Sequence, residues 1–90
     1  MVKRNKFEII KDILKIVQDD NNLIKPTPLL RQSNLSSSRF KEYFKELLEK
    51  EFIKEVNKSN GKFISLTDKG YRFLEKYKTI IMFIDEFELG

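Results

Sequence analysis

The feature that most constrains the fold of this chain is the run of residues 27–67, in which two helical patterns precede two strand-like segments. The polar turn Ser33-Asn34-Leu35 separates the helical patterns, and a basic tip separates the strand-like segments. Few arrangements of two short helices and a hairpin bury all of their apolar side chains in one small core. The run therefore predicts one α+β domain, mainly α, in this chain of 90 residues.

The residues before this run predict a first helix over residues 5–18. Apolar side chains recur there at helical spacing: Phe7, Ile10, Ile13, Leu14 and Val17. The segment Leu23-Ile24-Lys25 has room for only a minimal strand. Thr27 before Pro28 is a typical helix start, because Thr accepts from free amides and Pro needs no hydrogen bond at the first helical position. We expect a short second helix over residues 28–32.

The third predicted helix follows the cap residue Ser36 and runs to Lys50. Its inner face is predicted to carry the large apolar side chains Phe40, Phe44, Leu47 and Leu48. On a helical wheel, the positions opposite that face are Ser38, Glu42, Lys45 and Glu49. The helix therefore buries one face and presents a polar, partly basic face to solvent.

Two strands are predicted over residues 52–56 and 62–66, because apolar side chains alternate in both segments. Asn60-Gly61 predicts the tip of the hairpin, since both residues tolerate positive φ. Thr67 is predicted to cap a last helix that begins at Asp68. This layout predicts a winged helix-turn-helix over residues 1–66, followed by a C-terminal helix over residues 67–90.

The last helix carries two apolar stripes. Tyr71 and Leu74 begin one of them, and the second contains Phe73, Ile80, Phe83 and Phe87. One stripe can dock on the domain, whereas the other would leave a large apolar patch on a monomer, so the pattern predicts a homodimer. The alternative is that the first helix covers both stripes. The residues predicted at the dimer interface are Leu74, Tyr77, Ile81 and Ile84.

The charge distribution favours a polyanionic partner. The net charge is +4 and the sequence pI is about 9.3. Three of the 14 acidic residues, Asp85, Glu86 and Glu88, lie in the last six positions, so residues 1–84 carry 18 basic and 11 acidic residues, a net +7. A basic body of this kind is typical of proteins that bind nucleic acid, although a solvated surface is the simpler alternative.

Composition also excludes several classes of chemistry. The chain has no Cys and no His, which excludes disulfides, thiolate chemistry and the usual zinc sites. The acidic residues are scattered among lysines, and no glycine-rich phosphate loop is present. We predict a protein that is not an enzyme, with no catalytic residues, no metal, no cofactor and no small-molecule ligand. No signal peptide or membrane-spanning segment is evident, and we expect a cytoplasmic protein.

If the domain binds DNA, the third helix, the end of the second helix and the hairpin tip are the elements expected to touch it. The predicted DNA-binding residues are Arg31, Gln32, Ser37, Ser38, Arg39, Lys41, Glu42, Lys45, Lys58, Asn60 and Lys62. Lys3, Arg4 and Lys6 are expected to form a basic arm or to belong to a disordered terminus. For each lysine and arginine, a solvated position on an amphipathic helix is the alternative.

The order of these segments resembles the small winged-helix proteins of archaea, especially the ten-kilodalton DNA-binding proteins of the Sulfolobus group and related plasmid and viral regulators. The resemblance covers nearly the whole chain. It is carried by the segments Phe7-Glu8-Ile9-Ile10-Lys11-Asp12-Ile13-Leu14, Asn34-Leu35-Ser36, Tyr43-Phe44, Leu47-Leu48-Glu49-Lys50, Phe52-Ile53 and Leu66-Thr67-Asp68-Lys69-Gly70-Tyr71-Arg72-Phe73-Leu74.

This resemblance implies a homodimer that binds double-stranded DNA, with the final helices paired as an antiparallel coiled coil. The chain departs from the pattern at Glu51, where family members usually end the third helix with Gly, so a different closure of that helix is expected. The resemblance favours a transcriptional regulator. An architectural protein that coats DNA, or a winged-helix module that binds another protein, remains the alternative.

Overall fold

The computed structural model describes residues 5–87 and contains four helices and one two-stranded antiparallel sheet. The elements in chain order are α1 (Lys6–Asp19), α2 (Pro26–Ser33), α3 (Ser37–Glu49), β1 (Ile53–Lys58), β2 (Gly61–Leu66) and α4 (Asp68–Glu86). The predicted fold class, α+β and mainly α with a C-terminal helix, is confirmed. Within residues 5–87, no helix combines the length and the apolar character that crossing a bilayer requires.

Helix α1 supplies the centre of the core. Asn5 caps it, because the Asn5 side chain accepts a hydrogen bond of 2.8 Å from the Glu8 N–H. Five apolar side chains of α1 are buried: Ile9, Ile10, Ile13, Leu14 and Val17. Leu29 from α2, Phe40 and Leu47 from α3, and Ile53 and Ile64 from the sheet pack with them in the same buried cluster.

The predicted start of α2 at Pro28 is wrong. The helix begins at Pro26, with Lys25 as the N-cap and no side-chain cap hydrogen bond, so Thr27 is not the cap. Pro26 and Pro28 both fall in the first turn, where the backbone N–H groups have no intrahelical acceptor and a proline therefore loses nothing. Both prolines are compatible with the first turn of a helix, and α2 begins at the first of them, Pro26.

Helix α3 begins as predicted, since the Ser36 side chain accepts from the Arg39 N–H at 3.3 Å. The expectation that Glu51 requires a different closure is wrong. Glu51 takes the left-handed conformation, φ 61°, that a glycine would take there. Its N–H donates to the Leu48 carbonyl at 3.1 Å, and the Phe52 N–H donates to the Leu47 carbonyl at 2.9 Å. This is the Schellman pattern, completed without glycine.

The hairpin pairs Ile53 with Leu66 and Lys58 with Gly61, so Ser59 and Asn60 form the connecting loop. The predicted hairpin is confirmed; of the two residues at its tip that tolerate positive φ, only Gly61 takes one, at 132°. The minimal strand is confirmed as a bridge between Ile24 and Ile64, whose backbone groups exchange hydrogen bonds of 3.0 and 2.7 Å.

The two halves of helix α4 differ in how they pack: the first half contacts the core, and the second half is mostly exposed. Thr67 caps it as predicted, and a Cβ at the buried Gly70 would collide with the Phe52 carbonyl, so only glycine allows this close approach. Tyr71, Phe73 and Leu74, which come from both predicted stripes, pack against the core. Beyond Tyr77, the large apolar side chains are mostly exposed: Ile80, Ile81, Met82, Phe83 and Phe87.

Candidate nucleic-acid interface

The outer face of α3 is the main candidate surface. Phe40 and Leu47 are buried on the inner face, and the predicted outward positions Ser38, Glu42 and Lys45 are all exposed, so the predicted orientation of the helix is confirmed. Glu49 is exposed on the same face. The first turn carries small side chains: Ser37 and Ser38 are exposed, and the Ser36 and Ser38 hydroxyls lie 3.4 Å apart. A backbone phosphate could therefore approach the free amides of this turn closely.

The cations of α3 differ in how far they are neutralised. Arg39 and Lys41 are exposed and have no carboxylate partner among residues 5–87. Lys45 lies 4.0 Å from Glu49, with both side chains mostly in solvent. An ion pair of that length and exposure contributes little, so Lys45 remains available to another anion. Glu42 forms no ion pair within the described residues and stands as a bare carboxylate on the outer face.

The hairpin, which corresponds to the wing, presents two lysines in different states. Lys62 Nζ lies 3.3 Å from Glu55 Oε2 across the hairpin, so part of its charge is neutralised. Lys58 is exposed at the tip and has no carboxylate partner in residues 5–87. Asn60 is exposed in the loop beside it. The tip therefore offers one unpaired ammonium and one amide to an incoming anion.

Helix α2 brings two further predicted residues to the surface. Arg31 and Gln32 are exposed in its last turn, and Asn34 closes the helix in the left-handed conformation at φ 59°. Arg31 has no carboxylate partner among residues 5–87. Ser33, next to them, is buried and donates to the Leu30 carbonyl at 2.6 Å, which fixes this end of the helix.

Lys25 belongs with the hairpin, and the list of predicted site residues omits it. Its Nζ lies 5.6 Å from the centroid of the Phe63 ring, and its Cε would be 3.7 Å from a Cβ at Gly61. The bridge between Ile24 and Ile64 places Lys25 beside β2, with its side chain reaching toward Gly61 near the tip of the hairpin. The strand-like segment Leu23-Ile24-Lys25 indicates that Lys25 belongs to a short strand. The sequence does not indicate that this strand pairs with β2 of the hairpin.

Residues 5–87 contain no group of three acidic, His or Cys side chains placed to hold a metal ion. The predicted arm residues Lys3 and Arg4 lie outside the described residues, and Lys6 forms the first residue of α1. All eleven predicted DNA-binding residues are exposed; six of them are cations and Glu42 is the one carboxylate. Exposed cations and hydrogen-bond donors are the groups that contact a nucleic-acid backbone.

Comparison with known proteins decides the family. The sequence profile of the winged helix-turn-helix family matches residues 3–84. The chain belongs to the winged helix-turn-helix family. The chain is also similar to an uncharacterized protein of Methanocaldococcus jannaschii, with 39% identity over 83 residues. The match covers 92% of this chain but only 36% of that protein, so the chain spans about a third of its relative's length.

Solved winged-helix structures show the same fold. F93 from STIV, a winged-helix DNA-binding protein, superposes with a TM-score of 0.72 at 18% identity, over 88% of this chain and 91% of that chain. The DNA-binding protein Sso10a-2 of Sulfolobus solfataricus gives 0.73 at 16% identity, over 94% and 86%. F-93 of SSV1 gives 0.66 at 27% identity, over 94% and 99%. The resemblance to small archaeal winged-helix proteins is confirmed.

Proposed function

We propose that this protein binds double-stranded DNA as a homodimer and acts as a transcriptional regulator. The observation that carries the proposal is that four exposed cations on α2, α3 and the wing have no carboxylate partner in residues 5–87: Arg31, Arg39, Lys41 and Lys58. They are distributed over α2, α3 and the wing, which are the elements that a winged helix-turn-helix presents to DNA. In this arrangement α3 enters the major groove, while α2 and the wing contact the backbone.

The proteins of similar structure support this assignment. Two of them are described as DNA-binding proteins, F93 from STIV and Sso10a-2. The predicted contact residues that remain are Gln32, Ser37, Ser38, Glu42, Lys45, Asn60 and Lys62, all of which are exposed. We propose that Arg39 reads guanine with its two-pronged guanidinium and that the lysines contact phosphates. A DNA ligand also agrees with the predicted cytoplasmic location.

The second half of α4 is the proposed dimer surface. Ile80, Met82, Phe83 and Phe87 are each more than half exposed, at 56–61%. Leu74 packs against the protomer's own core, so the interface proposed from the sequence moves toward the end of the helix, where Tyr77, Ile81 and Ile84 lie. Residues 67–90 would then both complete the winged domain and join the two copies. Burying exposed apolar area of this kind is the main driving force of protein association.

A groove between α1 and α4 supports an antiparallel arrangement of the two copies of α4. It has a volume of about 540 Å³ and an apolar floor that includes Tyr71, Leu74 and Ile81. Its lining also carries Glu75 and three lysines, of which Lys78 has no carboxylate partner in residues 5–87 while Lys11 and Lys15 contact Asp12 and Asp19. In an antiparallel pair, the acidic end of the partner's helix would approach these lysines, whereas a parallel pair would bring the two acidic ends together.

The alternative is an architectural protein that coats DNA, and Glu42 bears on the choice between the two functions. Glu42 lies unpaired on the outer face of α3, and it would repel phosphates unless it accepts from a cytosine amine. Selection on random duplexes distinguishes the two functions, because a regulator enriches one sequence and an architectural protein enriches none. A winged helix that binds only proteins would show no salt-dependent affinity for any duplex.

The same experiment extends to two variants of α3. Arg39→Ala is expected to cost about 1–3 kcal/mol on the selected duplex and little on a scrambled one. Glu42→Gln is expected to strengthen binding to the scrambled duplex and to relax the sequence preference. Fluorescence anisotropy at one fixed salt concentration measures both effects. Equal losses on both duplexes for Arg39→Ala, with no change for Glu42→Gln, would favour the architectural function.

A further inference from the structure

One carboxylate ties the start of α1 to the middle of α3. Lys6 Nζ and Lys50 Nζ each lie 2.9 Å from the same oxygen, Oε1 of Glu46. The Lys50 contact is local, four residues along the same helix, whereas the Lys6 contact joins residues that are forty positions apart. We call Lys6, Glu46 and Lys50 the Glu46 cluster. Its long-range contact fixes the position of Lys6 relative to α3.

The Glu46 cluster keeps a positive charge. The hydrogen bond from Lys6, followed by that from Lys50, holds the pKa of Glu46 below its ordinary value, although partial desolvation opposes this shift. The carboxylate is therefore ionised at neutral pH, and the cluster carries two ammonium charges against one carboxylate. The Lys6 and Lys50 side chains remain 52% and 59% exposed. An ammonium has three N–H donors, so Lys6 can hold Glu46 and a second acceptor at once.

Lys6 stands beside the proposed reading face. A cleft of about 230 Å³ separates the start of α1 from α3, and it is lined by Lys6, Arg39, Glu42, Tyr43 and Glu46. The α3 residues in this set are spaced by three and four positions, so they form one flank of the helix. That flank contains Arg39 and Glu42, the two residues proposed to select the bases. Lys6 therefore borders the part of α3 that would lie deepest in the groove.

The local sequence does not favour a lysine at this position. Lys6 is the first residue of α1, where the helix dipole already places positive partial charge. A lysine in the first turn raises that local charge, and Glu46 from the other helix offsets the unfavourable interaction. The N-terminus of α1 is consequently electropositive, and the contact between Lys6 and Glu46 fixes its position relative to α3.

We propose that Lys6 is a fourth DNA-backbone contact, besides α2, α3 and the wing, and that Glu46 is the positioning residue that holds it on the flank of α3. This inference rests on the proposed DNA binding. Lys6 would contact a phosphate bordering the groove that α3 enters, while one of its N–H groups stays on Glu46. A carboxylate close to DNA, which alone would repel phosphate, then strengthens binding through the lysine that it orients.

The test compares Lys6→Gln with Lys50→Gln. Both variants remove one ammonium from the same carboxylate oxygen and change the net charge equally. Lys50, however, does not line the cleft that holds Lys6, Arg39 and Glu42, although its ammonium contacts the same oxygen. Anisotropy titrations of a random duplex over a series of salt concentrations should show that Lys6→Gln reduces the slope of log affinity against log salt by about 0.9. Lys50→Gln should leave the slope unchanged, and Lys6→Arg should restore it.

Glu46→Gln tests the positioning role. It removes a negative charge, so a carboxylate with no positioning role predicts tighter binding to the selected duplex, whereas the proposed role predicts weaker binding. Circular dichroism establishes whether this variant folds; if it does not, the matched lysine pair decides the question alone. Equal slope changes for Lys6→Gln and Lys50→Gln, or tighter binding by Glu46→Gln, would overturn the inference. Absence of duplex binding by the unaltered protein would instead overturn the proposed function itself.

Discussion

Two adjacent asparagines after α1 show how one residue type serves two roles. Asn21 and Asn22 both take the left-handed conformation, with φ of 59° and 58°. The Asn22 side chain also accepts the Leu66 N–H at 2.7 Å, which satisfies a donor on the strand that borders the core. No such hydrogen bond is found for Asn21 within residues 5–87. The backbone requirement is therefore shared, and the tertiary contact belongs to Asn22 alone.

Replacing each asparagine with glycine separates the two roles. Glycine adopts the left-handed conformation freely, so Asn21→Gly should change the free energy of unfolding by less than about 1 kcal/mol. Asn22→Gly should cost a further amount of about 1–2 kcal/mol, because it leaves a partly buried N–H without its acceptor. Urea denaturation measures both values. Equal losses in the two variants would show that the hydrogen bond to Leu66 contributes nothing.

The pKa of Glu46 gives a second prediction at this scale. Since the hydrogen bond from Lys6 and then that from Lys50 lower the pKa, Lys6→Gln and Lys50→Gln should each raise it toward 4.5. The unfolded carboxyl keeps the ordinary, higher pKa, so the Glu46 cluster stabilises the fold above about pH 4.5. This contribution is lost as the pH falls through the lower pKa of the folded protein. Carboxyl carbon NMR over an acid titration measures the three pKa values, and a pKa that is unchanged in Lys6→Gln would contradict the contact between α1 and α3.

At the scale of single elements, α3, the wing and α4 show where local patterns were sufficient and where they were not. The caps Ser36 and Thr67 were predicted correctly, because a cap depends on residues at most three positions apart. The hairpin of the wing was also predicted from its tip, where Gly61 takes the positive φ. The two apolar stripes of α4 were predicted, but the sequence did not show that only the first half of each packs against the core. Whether a side chain of α4 reaches the core depends on its position along the helix and not on the stripe to which it belongs.

The wing yields a prediction that depends on a cross-strand ion pair. Lys58 is unpaired in the described residues, whereas Lys62 contacts Glu55, so the two lysines should contribute unequally to DNA binding. Lys58→Gln should weaken binding equally on all duplexes and reduce the salt slope by about one. Lys62→Gln should have a smaller effect, and Glu55→Gln should tighten binding by releasing Lys62. A slope unchanged by Lys58→Gln would remove the tip of the wing from the interface.

At the scale of the whole molecule, α4 makes the protein elongated. The longest dimension is 49 Å, against 28 and 22 Å for the others. The first half of α4 completes the core, and its second half presents exposed apolar side chains that the protomer does not cover. The exposed half of α4 is the surface that the proposed homodimer would bury against the same helix of another copy.

Substitution at exposed positions of α4 tests the dimer without disturbing the core. Ile80→Asp combined with Phe83→Asp should give a monomer by light scattering, with its helical circular dichroism retained, because both side chains are more than half exposed in the protomer. Leu74→Asp is the matched control and should unfold the domain, since it places a charge against the core. DNA affinity should fall strongly in the double variant, because two linked binding domains then act separately. A wild-type protein that is monomeric at micromolar concentration would contradict this prediction.

The sequence by itself determined the order of elements, two of the caps, the inner face of α3 and the winged helix-turn-helix class, because hydrophobic periodicity and capping are local properties. Only the tertiary structure decided which charges are neutralised and which segments meet. The pairing of Lys6 with Glu46, the position of Lys25 at the wing and the burial of Leu74 all join residues from different elements. Such contacts depend on how the elements pack around one core, and no spacing within a single element encodes them.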